Sequence, residues 1–183
     1  MQPTILVGDC VWVNKLAYDL KVPFTTWHIA EWGDPQRGDI VVFFSPKDGT
    51  RTVKRVIGLP GDTIELRNAQ LIINGQPVKY STLPPEASRQ LPEPERTNSL
   101  FATEQLPTRP HAVMGINGVQ AIRTFGPLHI SADQYFMMGD NRDNSFDSRY
   151  FGTVERPAWL SRWTKAITGC QDPVAHFPLW TEM

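Results

Sequence analysis

Short apolar runs separated by turn residues recur along most of this sequence of 183 residues. Ile40–Phe44 is too continuously apolar for a half-exposed strand, and the turn residues of Ser45–Gly49 follow it directly. Asn74-Gly75 separates two later runs, and this dipeptide is common in β-hairpins because both residues accept positive φ. Strands this short, with turn chemistry between them, predict a mainly β chain built of antiparallel sheets.

The length of the chain fits a single domain. One stretch differs in composition from the rest of this domain. Prolines interrupt a polar stretch between residues 81 and 110, where we expect a loop or a small excursion rather than core. We therefore predict a catalytic β body, a variable cap or excursion and a C-terminal segment, at residues 1–80 with 128–158, at 81–127 and at 159–183. The last segment contains Trp159, Trp163 and Trp180, whose rings suit a membrane interface or a core equally well.

The composition excludes several classes of protein. A net charge of -1 gives no sign of a basic face for nucleic acid, so we expect no nucleic-acid partner. No run approaches the roughly 18 apolar residues of a membrane span, so the chain as given is expected to carry no anchor. The histidines show no metal-ligand spacing, and Cys10 and Cys170 match no zinc pattern, so we predict no metal site. The apolar run around Cys10 favours a buried thiol over a disulfide.

The segment from Met137 to Gly152 holds three Asp, two Asn, two Ser and two Arg. A calcium loop needs oxygen ligands at its first, third and fifth positions, but Arg142 takes the third position when Asp140 takes the first. A solvated turn remains an alternative. Asp and Arg mixed at this density favour an internal network of ion pairs that follows a core strand.

Lys54 lies in a strand-like run, where Thr52 and Val56 share its face. Burial on such a face disfavours the charged ammonium and lowers the pKa, which makes a lysine a general base near neutral pH. The alternative is an exposed Lys-Arg pair on an edge strand. This short stretch alone favours that alternative, because lysines are mostly exposed.

Several motifs occur in an order that resembles the signature boxes of the type I signal peptidases, a family of membrane-bound serine–lysine proteases. The matching stretches are Met1–Ile5 with Gly8-Asp9, then Arg37–Phe43, Val53–Asp62, Ile73–Gly75 and Gly139–Arg149. The resemblance implies the removal of signal peptides from exported precursors at the outer face of the bacterial cytoplasmic membrane. It implies signal peptides and the membrane surface as partners, and it implies no metal, nucleotide or other cofactor.

The resemblance also implies roles for single residues. Lys54 would be the general base, and Ser145 would hydrogen-bond and orient its amine. Asp147 and Arg149 would form the ion pair that braces the segment, and Asp140 and Arg142 would belong to the same support. Met1, Ile5 and Val53 would line shallow pockets that accept only the small residues of an Ala-x-Ala cleavage site, because a larger side chain would overpack them.

The chain departs from the family pattern at its first box, where the nucleophilic serine immediately precedes the residue that matches Met1. The chain as printed is therefore expected to lack the nucleophile and to be inactive. A start placed too late is the explanation that the intact Lys54 box favours. The alternatives are an inactive relative, or a β module that binds extended signal peptides without cleaving them. A self-cleaving serine–lysine repressor is disfavoured, since no DNA-binding domain or internal cleavage site is evident.

Overall fold

A computed structural model describes residues 1–14, 19–21, 28–31, 33–84, 88–89, 91–156 and 159–167. Strands dominate this described part, which confirms the predicted mainly antiparallel β class. The strands are β1 (Cys10–Asn14), β2 (Asp19–Lys21), β3 (His28–Glu31), β4 (Ile40–Phe44), β5 (Arg51–Gly58), β6 (Thr63–Arg67), β7 (Gln70–Ile73), β8 (Gln76–Pro77), β9 (Lys79–Thr82), β10 (Ser99–Gln105), β11 (Pro110–Ile116), β12 (Phe125–His129), β13 (Gln134–Met138), β14 (Val154–Glu155) and β15 (Trp159–Ile167). The helices are α1 (Glu93–Thr97) and α2 (Ser148–Phe151).

The largest sheet has six strands in the order β1-β15-β4-β5-β13-β14. The predicted strand β4 is buried along most of its length and pairs antiparallel with β5, so that Val41 lies opposite Lys54. On its other side β5 pairs with β13, where Met138 lies opposite Arg55. These two neighbours place β5 in the interior of the sheet, with the polar segment leaving directly from the end of β13.

A four-stranded sheet in the order β12-β6-β7-β8 packs beside the large sheet. Asn74 and Gly75 form the predicted turn between β7 and β8, and both have positive φ. Ile64, Leu71 and Phe136 are fully buried in the core cluster that joins this sheet to β13. The shared core fixes β5 and β13 from one side, which gives the site that they carry a rigid base.

Residues 99–116 form a hairpin rather than a loop. β10 and β11 pair along their whole length, and β9 adds a third strand to give the order β11-β10-β9. We call these three strands the excursion sheet. The prolines in this stretch are compatible with pairing because Pro110 stands at the first position of its strand. Val119–Ile122, whose pattern predicts a strand, is irregular instead.

The first nine residues of the predicted C-terminal segment form β15, which lies between β1 and β4 in the large sheet. The side chains of Trp159 and Trp163, and all of Trp180, lie outside the described residues, as does Cys170. Cys10 is half-buried at the start of β1, so its thiol is less enclosed than predicted. Of the helices in the described ranges, none has the length and apolar character needed to cross a bilayer.

Candidate active site

Lys54 lies on β5 and is half-buried. Desolvation by the surrounding protein is the largest influence on its pKa and lowers it. The charge of Arg149 lowers the pKa further, while the negative charges of Asp147 and Asp140 oppose the shift. The net result is a lowered pKa, so the amine is neutral in a larger fraction of molecules near neutral pH than an ordinary lysine would be.

Ser145 and Lys54 meet at Gly139, which follows β13. A Cβ placed on Gly139 would lie 2.7 Å from Ser145 Cβ, overlap with Ser145 Oγ and lie 3.7 Å from Lys54 Nζ. Only glycine therefore leaves room for Ser145, whereas the distance to Lys54 Nζ is an ordinary van der Waals contact. Ser145 Oγ is buried and finds no hydrogen-bond partner among the described residues. The predicted hydrogen bond from Ser145 to the Lys54 amine is thus not formed, although the two groups flank the same residue.

Asp147 and Arg149 are fully buried and form a two-pronged ion pair. Arg149 Nε donates to Asp147 Oδ1 and Arg149 Nη2 donates to Asp147 Oδ2, each at 2.8 Å. Asp147 also caps α2 by accepting from Arg149 N at 3.2 Å, and it accepts from Gly139 N at 3.1 Å. One carboxylate therefore joins the two ends of the loop that presents Ser145.

Asp140 pairs with Arg55, whereas Arg142 has a different partner. Arg55 Nε donates to Asp140 Oδ1 at 2.8 Å and Arg55 Nη2 donates to Asp140 Oδ2 at 2.7 Å. Thr4 Oγ1 also donates to Asp140 Oδ2. Burial alone would raise the pKa of Asp140, but the charge and hydrogen bonds of Arg55 lower it below its ordinary value. Asp140 is thus an ionised hub between β5, β13 and the first residues of the chain.

Arg142 pairs with Glu104 of β10, a residue that the sequence analysis does not single out. Arg142 Nη1 and Nη2 donate to the two carboxylate oxygens of Glu104 at 2.8 and 2.7 Å. Tyr80 donates its hydroxyl to the same carboxylate at 2.6 Å. His111, treated as ordinary from the sequence, lies between Glu104 and Asp140. The predicted supporting residues therefore form separate clusters, and two of these clusters depend on strands far away in the sequence.

The sequence contains an indication of the role of Arg55 but none of the role of Glu104. Arg55 directly follows Lys54, and strand alternation places its side chain on the opposite face, so a partner for it was predictable from the pattern. Glu104 is a single acidic residue in the stretch that was expected to be a loop or a small excursion. Nothing in the local sequence of Glu104 distinguishes it from a solvated carboxylate.

Met1, Ile5 and Val53, the predicted pocket residues, are each half-buried. The first residues form a turn in which Thr4 N and Ile5 N both donate to Met1 O, at 3.0 and 3.1 Å. Burial and the positive charge of Lys54 lower the pKa of the Met1 amino group. Thr4 in this turn donates to Asp140, so the first residues of the chain lie against the segment that follows β13.

Comparison with known protein families identifies the class of protein to which these sheets and the Lys54 site belong. A family model described as "Signal peptidase, peptidase S26" matches residues 1–164, and the chain belongs to this family. A signal peptidase I from Pseudomonas fluorescens is 39% identical over 159 residues, which cover 86% of this chain and 54% of the relative. A signal peptidase I from Buchnera aphidicola subsp. Schizaphis graminum is 34% identical over 199 residues, covering 90% of this chain and 64% of the relative.

A signal peptidase I P from Bacillus subtilis subsp. natto is 36% identical over 149 residues, covering 81% of this chain and 61% of the relative. Among solved structures, a signal peptidase I from Enterococcus faecalis V583 is 34% identical, with a TM-score of 0.45, and the match covers 72% of this chain and 98% of that chain. The chain thus spans between 54% and 64% of the length of these three curated relatives.

Proposed function

We propose that this chain carries the catalytic part of a bacterial type I signal peptidase, an endopeptidase that removes signal peptides from exported precursor proteins. The observation that carries the proposal is that the half-buried Lys54 and Ser145 meet at Gly139. Thr4 donates to Asp140, the residue after Gly139, and from this contact we infer that the position before Met1 lies near Lys54. The family pattern has the nucleophilic serine at that position, which lies outside the printed sequence.

The proposed reaction uses Lys54 twice. The neutral amine takes the proton of the serine hydroxyl as the oxygen attacks the scissile carbonyl, and the proton then passes to the leaving amine of the mature protein. A water molecule then attacks the resulting ester while Lys54 takes a proton from it. The bond between the acyl carbon and the serine oxygen breaks, Lys54 returns the proton to that oxygen, and the signal peptide leaves with a new carboxyl group. Ser145 supports this cycle by occupying the space beside the amine and limiting its rotation.

An open strand edge supports an extended substrate. β13 pairs with β5 at Arg55, Val56 and Gly58. Among the residues described, no strand pairs with Thr52–Lys54 on that side. A substrate added to this edge would gain backbone hydrogen bonds and would run past Lys54. Met1, Ile5 and Val53 are the residues that we assign to the small-residue pockets along this path.

The proposed setting is the outer face of the bacterial cytoplasmic membrane, with the membrane surface as a second partner. Family membership and the bacterial relatives support this setting. The proposed division into a catalytic body, a cap and a C-terminal segment is compatible with β15 as part of the large sheet. In that arrangement the C-terminal segment contributes a strand to the body.

The test compares cleavage of a signal-peptide substrate by two chains. One is the chain as printed, and the other is extended before Met1 by a segment that ends in serine. We expect cleavage by the extended chain alone, and its complete loss in the extended Lys54→Ala variant. Lys79→Ala, which changes an exposed lysine outside the site, serves as the matched control and retains cleavage.

A peptide-binding module that does not cleave is the second candidate, because the open edge at Thr52–Lys54 suits binding as well as catalysis. A folded but inert extended chain that still binds signal peptides would favour this candidate. Equal cleavage by Lys54→Ala and the unchanged chain would remove Lys54 from the mechanism.

A further inference from the structure

We propose that Glu104 is a positioning residue for the candidate active site, through which the excursion sheet holds the segment that presents Ser145. This inference rests on the proposed function and adds a residue to it. The segment concerned is residues 139–149, which we call the catalytic loop. Glu104 does not reach the reacting atoms, so its effect would pass through the residues that it contacts.

Burial and hydrogen bonds restrain the side chain of Glu104. Its side chain is fully buried on β10, and both carboxylate oxygens accept from the guanidinium of Arg142. Burial alone would raise the pKa of Glu104, whereas the charge and hydrogen bonds of Arg142 lower it, so the carboxylate stays ionised. A two-pronged pair of this kind fixes both the distance and the plane of the arginine.

Backbone contacts join the same two elements. Met114 N on β11 donates to Asp140 O at 2.9 Å, and Arg142 N donates to Met114 O at 2.8 Å. Because β11 pairs with β10 along its length, the strand that touches the catalytic loop is held by the strand that carries Glu104. The loop therefore lies against the excursion sheet through its backbone and through the Arg142 side chain.

His111 extends this contact toward the hub at Asp140. His111 Nε2 lies 3.4 Å from a carboxylate oxygen of Glu104 and 3.8 Å from one of Asp140, with its side chain 5% exposed. Asp140 in turn binds Arg55, the neighbour of Lys54, and Thr4, three residues after Met1. Neither ring nitrogen of His111 makes a hydrogen bond within the described residues, so this second contact is one of packing. A displacement of Glu104 would act directly on Arg142 and the loop that presents Ser145, and through the packing of His111 on Asp140.

The experiment measures cleavage kinetics of the extended chain with Glu104→Gln. This change keeps the shape of the side chain and removes its charge. Asp62→Asn is the matched control, since Asp62 is a buried carboxylate that pairs with Arg37 at 2.7 Å and accepts from Asn74, away from the catalytic loop. Both variants remove the charge of one buried carboxylate from an ion pair with arginine.

We expect Glu104→Gln to lower kcat per folded molecule by about ten- to a hundredfold with KM nearly unchanged, because misplacement of catalytic groups by about 1 Å has effects of this size. Asp62→Asn should leave kcat per folded molecule within about threefold of the unchanged chain, a difference of well under 1 kcal/mol in the barrier.

Amide hydrogen exchange gives a second readout that needs no activity. Exchange in the catalytic loop should rise in Glu104→Gln and stay unchanged in Asp62→Asn.

Equal kcat values and equal loop exchange in the two variants would overturn the positioning role and leave the proposed function intact. An inert extended chain would instead contradict the proposed function, and the exchange measurement would still decide whether Glu104 holds the loop. If Glu104→Gln does not fold, Glu104→Asp takes its place. That variant keeps the charge but shortens the side chain, and the same loss of kcat and rise in exchange are expected.

Discussion

The two ends of the catalytic loop are held in different ways. At its C-terminal end, Asp147 and Arg149 form an ion pair two residues apart in sequence, and Asp147 also caps α2. At its N-terminal end, Asp140 depends on Arg55, which is 85 positions away, and on Thr4. The ion pair at the first end is local in sequence, with one further hydrogen bond from Arg149 Nη1 to Ile122 O at 3.0 Å, whereas the second end takes its ion pair from another strand. Damage at the second end should therefore spread further through the molecule.

The largest effects are expected from the removal of either buried carboxylate. Asp147→Ala and Asp140→Ala each leave a buried arginine without its partner, a change that costs about 3–5 kcal/mol of unfolding free energy. Urea denaturation would measure both losses. The difference between the two ends should appear in hydrogen exchange, because Asp140→Ala also releases the Thr4 contact. Exchange at residues 1–6 should rise in Asp140→Ala and stay unchanged in Asp147→Ala, and equal exchange there would contradict the comparison.

The N-terminal end should also be sensitive to mild acid through His111. Burial, followed by the charge of Arg55, lowers the pKa of His111 to about 4, although Asp140 and Glu104 oppose the shift. The unfolded chain binds this proton near pH 6.5 and the folded chain does not, so stability should fall as the pH drops from 6.5 to 4. The fall should reach on the order of 3 kcal/mol for His111 alone.

Urea denaturation between pH 4.5 and 7 would measure this slope. His111→Gln should flatten it, and His129→Gln, which changes an exposed histidine, should leave it as it is. The lowered pKa values of Asp140 and Glu104 act at lower pH, since their contribution is lost only as the pH falls below the ordinary range of carboxyl groups. A slope that persists in His111→Gln would assign the acid sensitivity to another group.

Gly139→Ala tests the point where the two ends meet. The added Cβ would lie 2.7 Å from Ser145 Cβ, so the loop must shift, at a cost of about 1–3 kcal/mol in unfolding free energy. The rate of cleavage by the extended chain should fall further than the decrease in the folded fraction would produce. Gly58→Ala is the matched control, because its new Cβ would meet Ile64 and Phe136 in the core rather than the site. Equal activity in the two variants would show that the space beside Gly139 is not needed.

The smallest effect is expected at a fourth ion pair on the same loop. Arg123 forms a two-pronged pair with Asp143, but the Arg123 side chain is 48% exposed. Water screens such a pair, so Arg123→Ala should leave the urea midpoint unchanged within error. A loss as large as that of Asp147→Ala would show that burial is not what separates these pairs.

The same contrast explains what was predictable from the sequence. Ile40–Phe44, the Asn74-Gly75 turn and the pairing of Asp147 with Arg149 all depend on neighbours in sequence, and the structure contains each of them. The pairing of β10 with β11 was not predicted, because prolines and polar residues hide an alternation whose partners lie on another strand.

The candidate site was predictable in part for the same reason. The positions of Lys54 and Ser145 followed from the resemblance, while the link from Arg142 to Glu104 required knowledge of the excursion sheet. The resemblance placed Asp140 and Arg142 in one support. Their side chains bind different strands because successive polar residues in an irregular segment point in different directions.

The most direct test of the account is an NMR titration of the Lys54 side-chain amine in the chain extended by serine. Burial lowers its pKa, so we expect a midpoint clearly below the ordinary lysine value of about 10.4, with cleavage rising through the same pH range as the amine loses its proton. A midpoint at the ordinary value, with no matching change in cleavage, would contradict the role of Lys54 as general base. That result would favour a module that binds extended peptides without cutting them.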